Sequence, residues 1–200
     1  MFIRAIAFAS LAFGISACAT FDPATRGVPL EATSFAQVAP SYDVETVRIA
    51  VPGSLSVSEA NSYYPIADIV WRGDPIGNRH RQVLNIFATS VERGTKNLNG
   101  AQPIDVDIEV MRFHSLSEKA RFTIGGVHSI KFKMTMRDAT TGAVIGEPRV
   151  INADFPALAG RAAMAAESSG QTQKVRVTDH LSYVFEKELG RPATSAHFDL

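Results

Sequence analysis

The sequence predicts an α+β domain: a single, mostly antiparallel sheet with about two helices packed on one face. Three observations lead there. Residues 104–110 and 127–138 alternate apolar and polar side chains with a period of two, the mark of strands with one buried face. Residues 78–98 instead carry apolar groups at Val83, Ile86, Phe87, Val91 and Leu98, a helical stripe. The strands also follow one another with only a tight turn between some of them, which favours antiparallel pairing and helices gathered on one side.

In chain order, the folded part is expected over 42–190. Val47, Ile49 and Val51 alternate with Thr46, Arg48 and Ala50, giving a strand that Pro52-Gly53 stops. Ile66 to Trp71 (IADIVW) reads as a short buried strand, ended by Arg72-Gly73-Asp74-Pro75. The helix of 78–98 follows, loosened at its end by Gly94, Asn99 and Gly100. Ile104, Val106, Ile108 and Val110 then share one strand face, and Asp105, Asp107 and Glu109 the other. Ile130, Phe132, Met134 and Met136 likewise oppose Lys131, Lys133, Thr135 and Arg137, so acidic and basic outer faces would pair if the two strands are neighbours. Asp138 to Gly142 (DATTG) is a turn into a further strand through Val144-Ile145 and Arg149-Val150-Ile151. Residues 157–177 mix a helical ALAGRAAMAAE with a polar SSGQTQK, and a mobile excursion is expected there. A last helix runs over 178–189, capped by Thr178 or Asp179 and striped by Leu181, Val184, Phe185 and Leu189. Gly190 and Pro192 stop it, leaving a loose tail over 191–200.

Composition narrows the function classes. The chain is 46% hydrophobic and 20% charged, enough apolar material for a core and too little charge for wholesale disorder. Formal net charge is zero, so no basic excess exists to grip phosphate backbones, and nucleic acid is not expected as a partner. A single cysteine, Cys18, excludes an internal disulfide and any cysteine-based zinc site. Packing alone must hold the fold.

The N-terminus reads as an export address. Arg4 precedes an apolar or small-residue run from Ala5 to Ile15, and Ser16-Ala17 follow. That run is well short of the ~20 residues a membrane-spanning helix needs, so residues 1–17 are expected to be a cleaved signal peptide. The segment closes with Ile15-Ser16-Ala17-Cys18, which resembles the lipobox of bacterial lipoproteins: an aliphatic residue, two small residues, then cysteine. The resemblance implies cleavage before Cys18, a diacylglycerol thioether on its sulfur and an amide-linked fatty acid such as palmitate on its nitrogen. One acyl chain binds a membrane only marginally, whereas two or three hold firmly. Ala19 stands where such lipoproteins retained in the inner membrane often carry Asp, so the resemblance implies a periplasm-facing anchor, the outer membrane favoured over the inner. Residues 18–41, interrupted by Pro23, Pro29 and Pro40, are then the lipidated cysteine and a flexible tether. About 20 extended residues reach roughly 60 Å, far enough to lift a domain clear of the headgroups.

No catalytic or metal-binding pattern stands out. The five histidines, His80, His114, His128, His180 and His197, form no HxxxH, HExxH or HxH. Asp105, Asp107 and Glu109 are explained by a solvated strand face. Nucleophile-elbow, dinucleotide and P-loop patterns are all missing, so the chain is not expected to be an enzyme, to need a cofactor or to hold a metal. The most unusual stretch is YYPIADIVWRGDPIGNRHR, residues 63–81. It gathers aromatic and arginine side chains, the types enriched at binding hot spots, around one helix start. Tyr63, Tyr64, Trp71, Arg72 and Arg79 are the candidate interface. The bland alternative is that Trp71 and Tyr64 fill the core beneath the helix.

From Arg48 to Ile151 the chain resembles a family of uncharacterised bacterial lipoproteins defined only as a domain of unknown function. IADIVWRGDPIG (66–77) and IKFKMTMRDATTG (130–142) carry the resemblance. More loosely, the element order is similar to that of small lipoproteins acting as accessory subunits of envelope machines. That resemblance implies a membrane partner through Cys18, an envelope protein as a further partner, and no assigned functional residue. A non-catalytic accessory or assembly subunit is the first expectation. A small-ligand or lipid carrier, with Met134 and Met136 lining its pocket, is the second.

Overall fold

The computed structural model describes residues 41–190; the signal, the lipobox with Cys18, nearly all of the tether and the tail over 191–200 lie outside the described residues. Six strands and four helices follow in the order β1 (Tyr42–Ala50), β2 (Ile69–Val70), α1 (Arg79–Thr95), β3 (Gln102–His114), α2 (Glu118–Arg121), β4 (Gly126–Asp138), β5 (Val144–Asn152), β6 (Phe155–Ala157), α3 (Gly160–Ser168) and α4 (Gln173–Leu189). The architecture is α+β, one open sheet with main order β1-β3-β4-β5; β2 adds to β3 and β6 to β4.

The sheet is mixed. The β3–β4, β4–β5 and β4–β6 pairings are antiparallel, whereas β1 and β2 both run parallel to β3. Connection length explains the difference. Residues 139–143 form a tight turn that reverses the chain. The long stretch from Val51 to Ala101 includes α1, which returns the chain to the end where β1 began. The reversing turn is chemically specific: Asp138 Oδ1 accepts from the Thr140 and Thr141 amides (3.1 and 2.8 Å) and from Thr141 Oγ1 (2.9 Å). Gly142 closes it at φ 73°, a left-handed conformation that glycine adopts without strain.

The alternation in β3 and β4 sorts the sheet into two faces. Ile104, Val106, Ile108, Val110, Ile130, Phe132, Met134 and Met136 are buried together with Val83, Ile86, Phe87 and Val91 of α1 and Val177, Leu181, Phe185 and Leu189 of α4. Phe87, Phe132 and Phe185 join the layers, with ring centroids 5.4 Å (Phe87–Phe132), 6.1 Å (Phe87–Phe185) and 5.2 Å (Phe132–Phe185) apart. The opposite face carries paired charges: Arg48 on β1 reaches Asp105 (3.0 Å) and Asp107 (2.6 Å), Arg137 reaches Asp107 (2.8 Å), and Lys133 reaches Glu109 (2.5 Å). The register sets Glu109 opposite Lys133 and Asp105 opposite Arg137, so the cross-strand pairing expected of these residues is realised.

Four elements depart from the sequence reading. The expected strand over 66–71 shrinks to Ile69–Val70, and Ile66 is 99% exposed. The final helix begins at Gln173, capped by Thr172 accepting from the Val175 amide, whereas Thr178 is buried inside it. Val175 and Val177 are weak helix formers by intrinsic propensity, but the burial of Val177 in the core outweighs that preference. Residues 157–177 are not a mobile excursion: they hold β6, α3 and the first turn of α4, with Ala163 packed inward. Among the described residues the helices thus number four: the expected two long ones over the sheet face, and two short ones at its end.

Candidate functional site

The chain from Ser41 enters at the end of the sheet where β3 begins, since Tyr42 lies beside Gln102. A strand of β3's length spans about 40 Å. The opposite end collects the loops 51–68 and 72–78, α2, and the segment from β6 to the start of α4. Here polar side chains from distant parts of the sequence do the holding.

Arg79 is the hub of the outer loops. It is buried, its guanidinium bonds the Glu59 carboxylate (2.7 and 3.1 Å), the Asp74 and Pro75 carbonyls (3.1 and 3.2 Å) and Gln82 Oε1 (2.7 Å). Burial lowers its pKa from the usual guanidinium value, opposed by the nearby Asp74 charge. Arg72 bonds the same Glu59 through its carboxylate and backbone carbonyl. Trp71 is 0% exposed, sets its ring edge-on to Phe113 at 5.4 Å and donates its Nε1–H to Asp74 Oδ2 at 2.7 Å. Of the five residues that the sequence nominates as an interface, Trp71, Arg72 and Arg79 therefore support the loops from within.

Tyr63 and Tyr64 point outward, Tyr64 at 81% exposure. Their loop is nonetheless pinned at several points. His114 Nε2–H donates to the Pro65 carbonyl at 2.9 Å, Ser117 Oγ to the Ser62 carbonyl at 2.5 Å, and the Lys119 amide to Asn61 Oδ1 at 2.7 Å. Lys119 Nζ also lies 4.4 Å from the centre of the Tyr63 ring. On this fixed frame stand Tyr64 and Ile66, with exposed Ile76, Phe122 and Ile124 on neighbouring loops.

Beneath the loops is a buried polar network. Gln173 Nε2 donates to Ser115 Oγ, and Ser115 Oγ lies 2.8 Å from His128 Nδ1. Arg121 donates to Gln173 Oε1 at 3.3 Å and forms an ion pair with Glu167 of α3. Ser115 Oγ accepts from Gln173, and Nδ1 is its one other partner among the described residues; the hydroxyl proton is satisfied by donation to Nδ1, and the neutral imidazole then carries its hydrogen on Nε2. That atom is buried without any hydrogen-bond partner. Burial, then the charges of Arg176, His180 and Arg121, push the His128 pKa down to about 3. So weak a base does not take the Ser115 proton at neutral pH, and Ser115 itself is buried. The serine–histidine pair holds β3 and β4 together at their ends.

His128 lines a cavity of about 10 Å³ shared with Arg121, Glu167, Gln171, Gln173 and Arg176. Nothing in the sequence marks this cluster: Ser115 and Gln173 are 58 positions apart, and only the apolar-face position of His128 hints at its burial. The alternating Asp105, Asp107 and Glu109 are committed to the ion pairs of the outer face. Among the described residues no group of three or more His, Cys, Asp or Glu is placed to hold a metal ion. Among them, too, no helix is long and apolar enough to cross a membrane.

A family model described as a family of unknown function, DUF6778, matches residues 42–199. No curated protein matches the chain. Two solved structures are similar at 12% identity: a candidate lipoprotein from Caulobacter crescentus (53% of this chain, 79% of that one, TM-score 0.33) and a DUF330 protein from Xanthomonas campestris (77% and 86%, TM-score 0.45).

Proposed function

The chain belongs to the DUF6778 family of unknown function, and we propose that it is a lipid-anchored cell-envelope protein serving as a non-catalytic accessory or assembly subunit. The anchor is Cys18, and the reading of residues 1–18 as a lipoprotein signal supports it. The observation that carries the accessory role is the loop end. Tyr64 and Ile66 stand exposed on a loop fixed by three hydrogen bonds, at the end of the sheet away from Tyr42, where the tether joins. Apolar side chains on a rigid frame cost hydration and gain nothing within this domain, which suits the surface of an envelope protein partner.

The carrier reading has less support. Met134 and Met136 are packed in the core and line none of the described clefts, and a cleft of about 410 Å³ is walled by Arg48, Asp107, Glu109, Lys133 and Arg137, the paired charges of the outer face, where an apolar ligand has little to bind. Two experiments test the anchor and the role in turn. Cys18→Ser should lose fatty-acid labelling and membrane association; a serine variant that still labels contradicts the anchor. In-cell crosslinking of the full-length protein followed by detergent extraction should recover a stoichiometric envelope protein, lost in Ile66→Asp. Recovery of the chain alone, or with bound lipid only, contradicts the accessory role and favours the carrier.

A further inference from the structure

We infer that the cavity walled by His128, Arg121 and Arg176 is a phosphate-binding site, in which one oxygen of a phosphoryl group enters the cavity and accepts from His128 Nε2–H. The inference stands apart from the docking surface above. Its first observation is the unpartnered donor: His128 is 1% exposed, its Nδ1 is taken by Ser115, and Nε2–H has no acceptor. A donor left unmet in the interior loses its hydration without replacement, so such groups call for an occupant. The second is size. A cavity of about 10 Å³ admits one water-sized group, such as a single anion oxygen.

The third observation is charge. Two guanidiniums line the same cavity, and the single carboxylate among its lining residues is Glu167. Glu167 is paired with Arg121, while Arg176 has only the Pro156 carbonyl at 3.4 Å and the face of Phe155 at 6.0 Å. Arg121, Arg176 and His128 line this one cavity from three different elements, α2, α4 and β4. That disposition matches a tetrahedral oxyanion better than the two coplanar oxygens of a carboxylate. Glu167 then acts as a built-in competitor. It sits on α3, a helix with no side-chain N-cap and Ala163 as its one buried residue, so its withdrawal from Arg121 disturbs little packing.

The test is calorimetric titration of the full chain, in an uncharged detergent, with inorganic phosphate and with a short-chain water-soluble phosphatidic acid. Saturable one-to-one binding of either is expected, with tighter binding of phosphatidic acid pointing to a lipid headgroup and tighter binding of phosphate to a soluble source. Arg176→Gln should weaken binding about tenfold or more, as loss of one charge-assisted contact implies. Glu167→Gln should strengthen it severalfold by freeing Arg121, an outcome a merely structural ion pair would not give. The Nε2–H resonance of His128 should shift on saturation. No binding of either ligand, or binding that neither substitution alters, overturns the site and leaves a single water in the cavity.

Discussion

The helix–sheet core and the loop end of this domain are held together largely by different physics. Between the long helices and the sheet, the contacts are apolar and come from side chains that recur at regular intervals in α1, β3, β4 and α4. At the loop end, the contacts are hydrogen bonds and ion pairs between residues such as Glu59 and Arg79, Ser115 and Gln173, or Arg121 and Glu167. The first region makes the fold stable, since apolar burial is the dominant favourable term in folding. The second spends much of its polar bonding on holding loops in one shape, and those loops present Tyr64 and Ile66 to solvent. Rigid presentation of exposed apolar groups is a property of recognition surfaces, not of loops that merely connect.

This contrast is sharpened by removing parts of each region. Phe87 touches Phe113, Phe132 and Phe185 at ring distances of 5.4–6.3 Å, so Phe87→Ala should cost about 3–5 kcal/mol in denaturant unfolding. Gly94 is the point where α1 meets α4: a Cβ there would lie 2.4 Å from the Ser182 carbonyl oxygen. Gly94→Ala should therefore cost about 1–3 kcal/mol by overpacking, despite the better helix propensity of alanine. A stabilised Gly94→Ala variant would show that the helices separate freely and that the close crossing is not needed.

The polar end predicts a pH response. The folded state holds His128 neutral with its pKa lowered to about 3 from 6.5, so between these values the unfolded chain binds the extra proton. Stability contributed by the neutral ring is complete above pH 6.5. It is lost as pH falls through that window, at a rate approaching about 1.4 kcal/mol per pH unit for one such group. His180, also held low by burial, adds in the same direction. Unfolding free energy followed from pH 7 to 4 should show this fall, and His128→Gln should flatten it. A slope unchanged in the variant would place the acid sensitivity elsewhere.

The contrast also governs what the sequence made legible. The stripe from Val83 to Val91, the alternation in β3 and β4, and the Asp138–Gly142 turn are local signals with fixed periods or turn chemistry, and each appears where the residues place it. The pairing of Arg48 with Asp105 and Asp107 depends on β1 lying beside β3, and that parallel placement comes from the crossover through α1. At the loop end the local signals fail. Ile66 looks like part of a buried strand but stands in solvent, because the backbone hydrogen bonds that define β2 begin at Ile69. Arg79 looks like a surface charge at a helix start but is buried, because Glu59, twenty positions earlier, supplies its counter-charge. Glu167 ends a run with helical propensity in a segment expected to be mobile, and nothing local marks the ion pair with Arg121 that holds it. Long-range polar partners leave no periodic trace, so the region proposed to dock a partner was the less readable one.

The central claim, that the loop end docks an envelope partner, is tested most directly by placing a photo-crosslinking side chain at Ile66 in the full-length protein within cells. Val150, exposed on β5 at the level of Lys133, is the matched control. The account predicts a discrete adduct with one envelope protein from position 66 and none from position 150. Adducts from position 150 alone, or none from position 66 in a chain that is lipidated and folded, would contradict it.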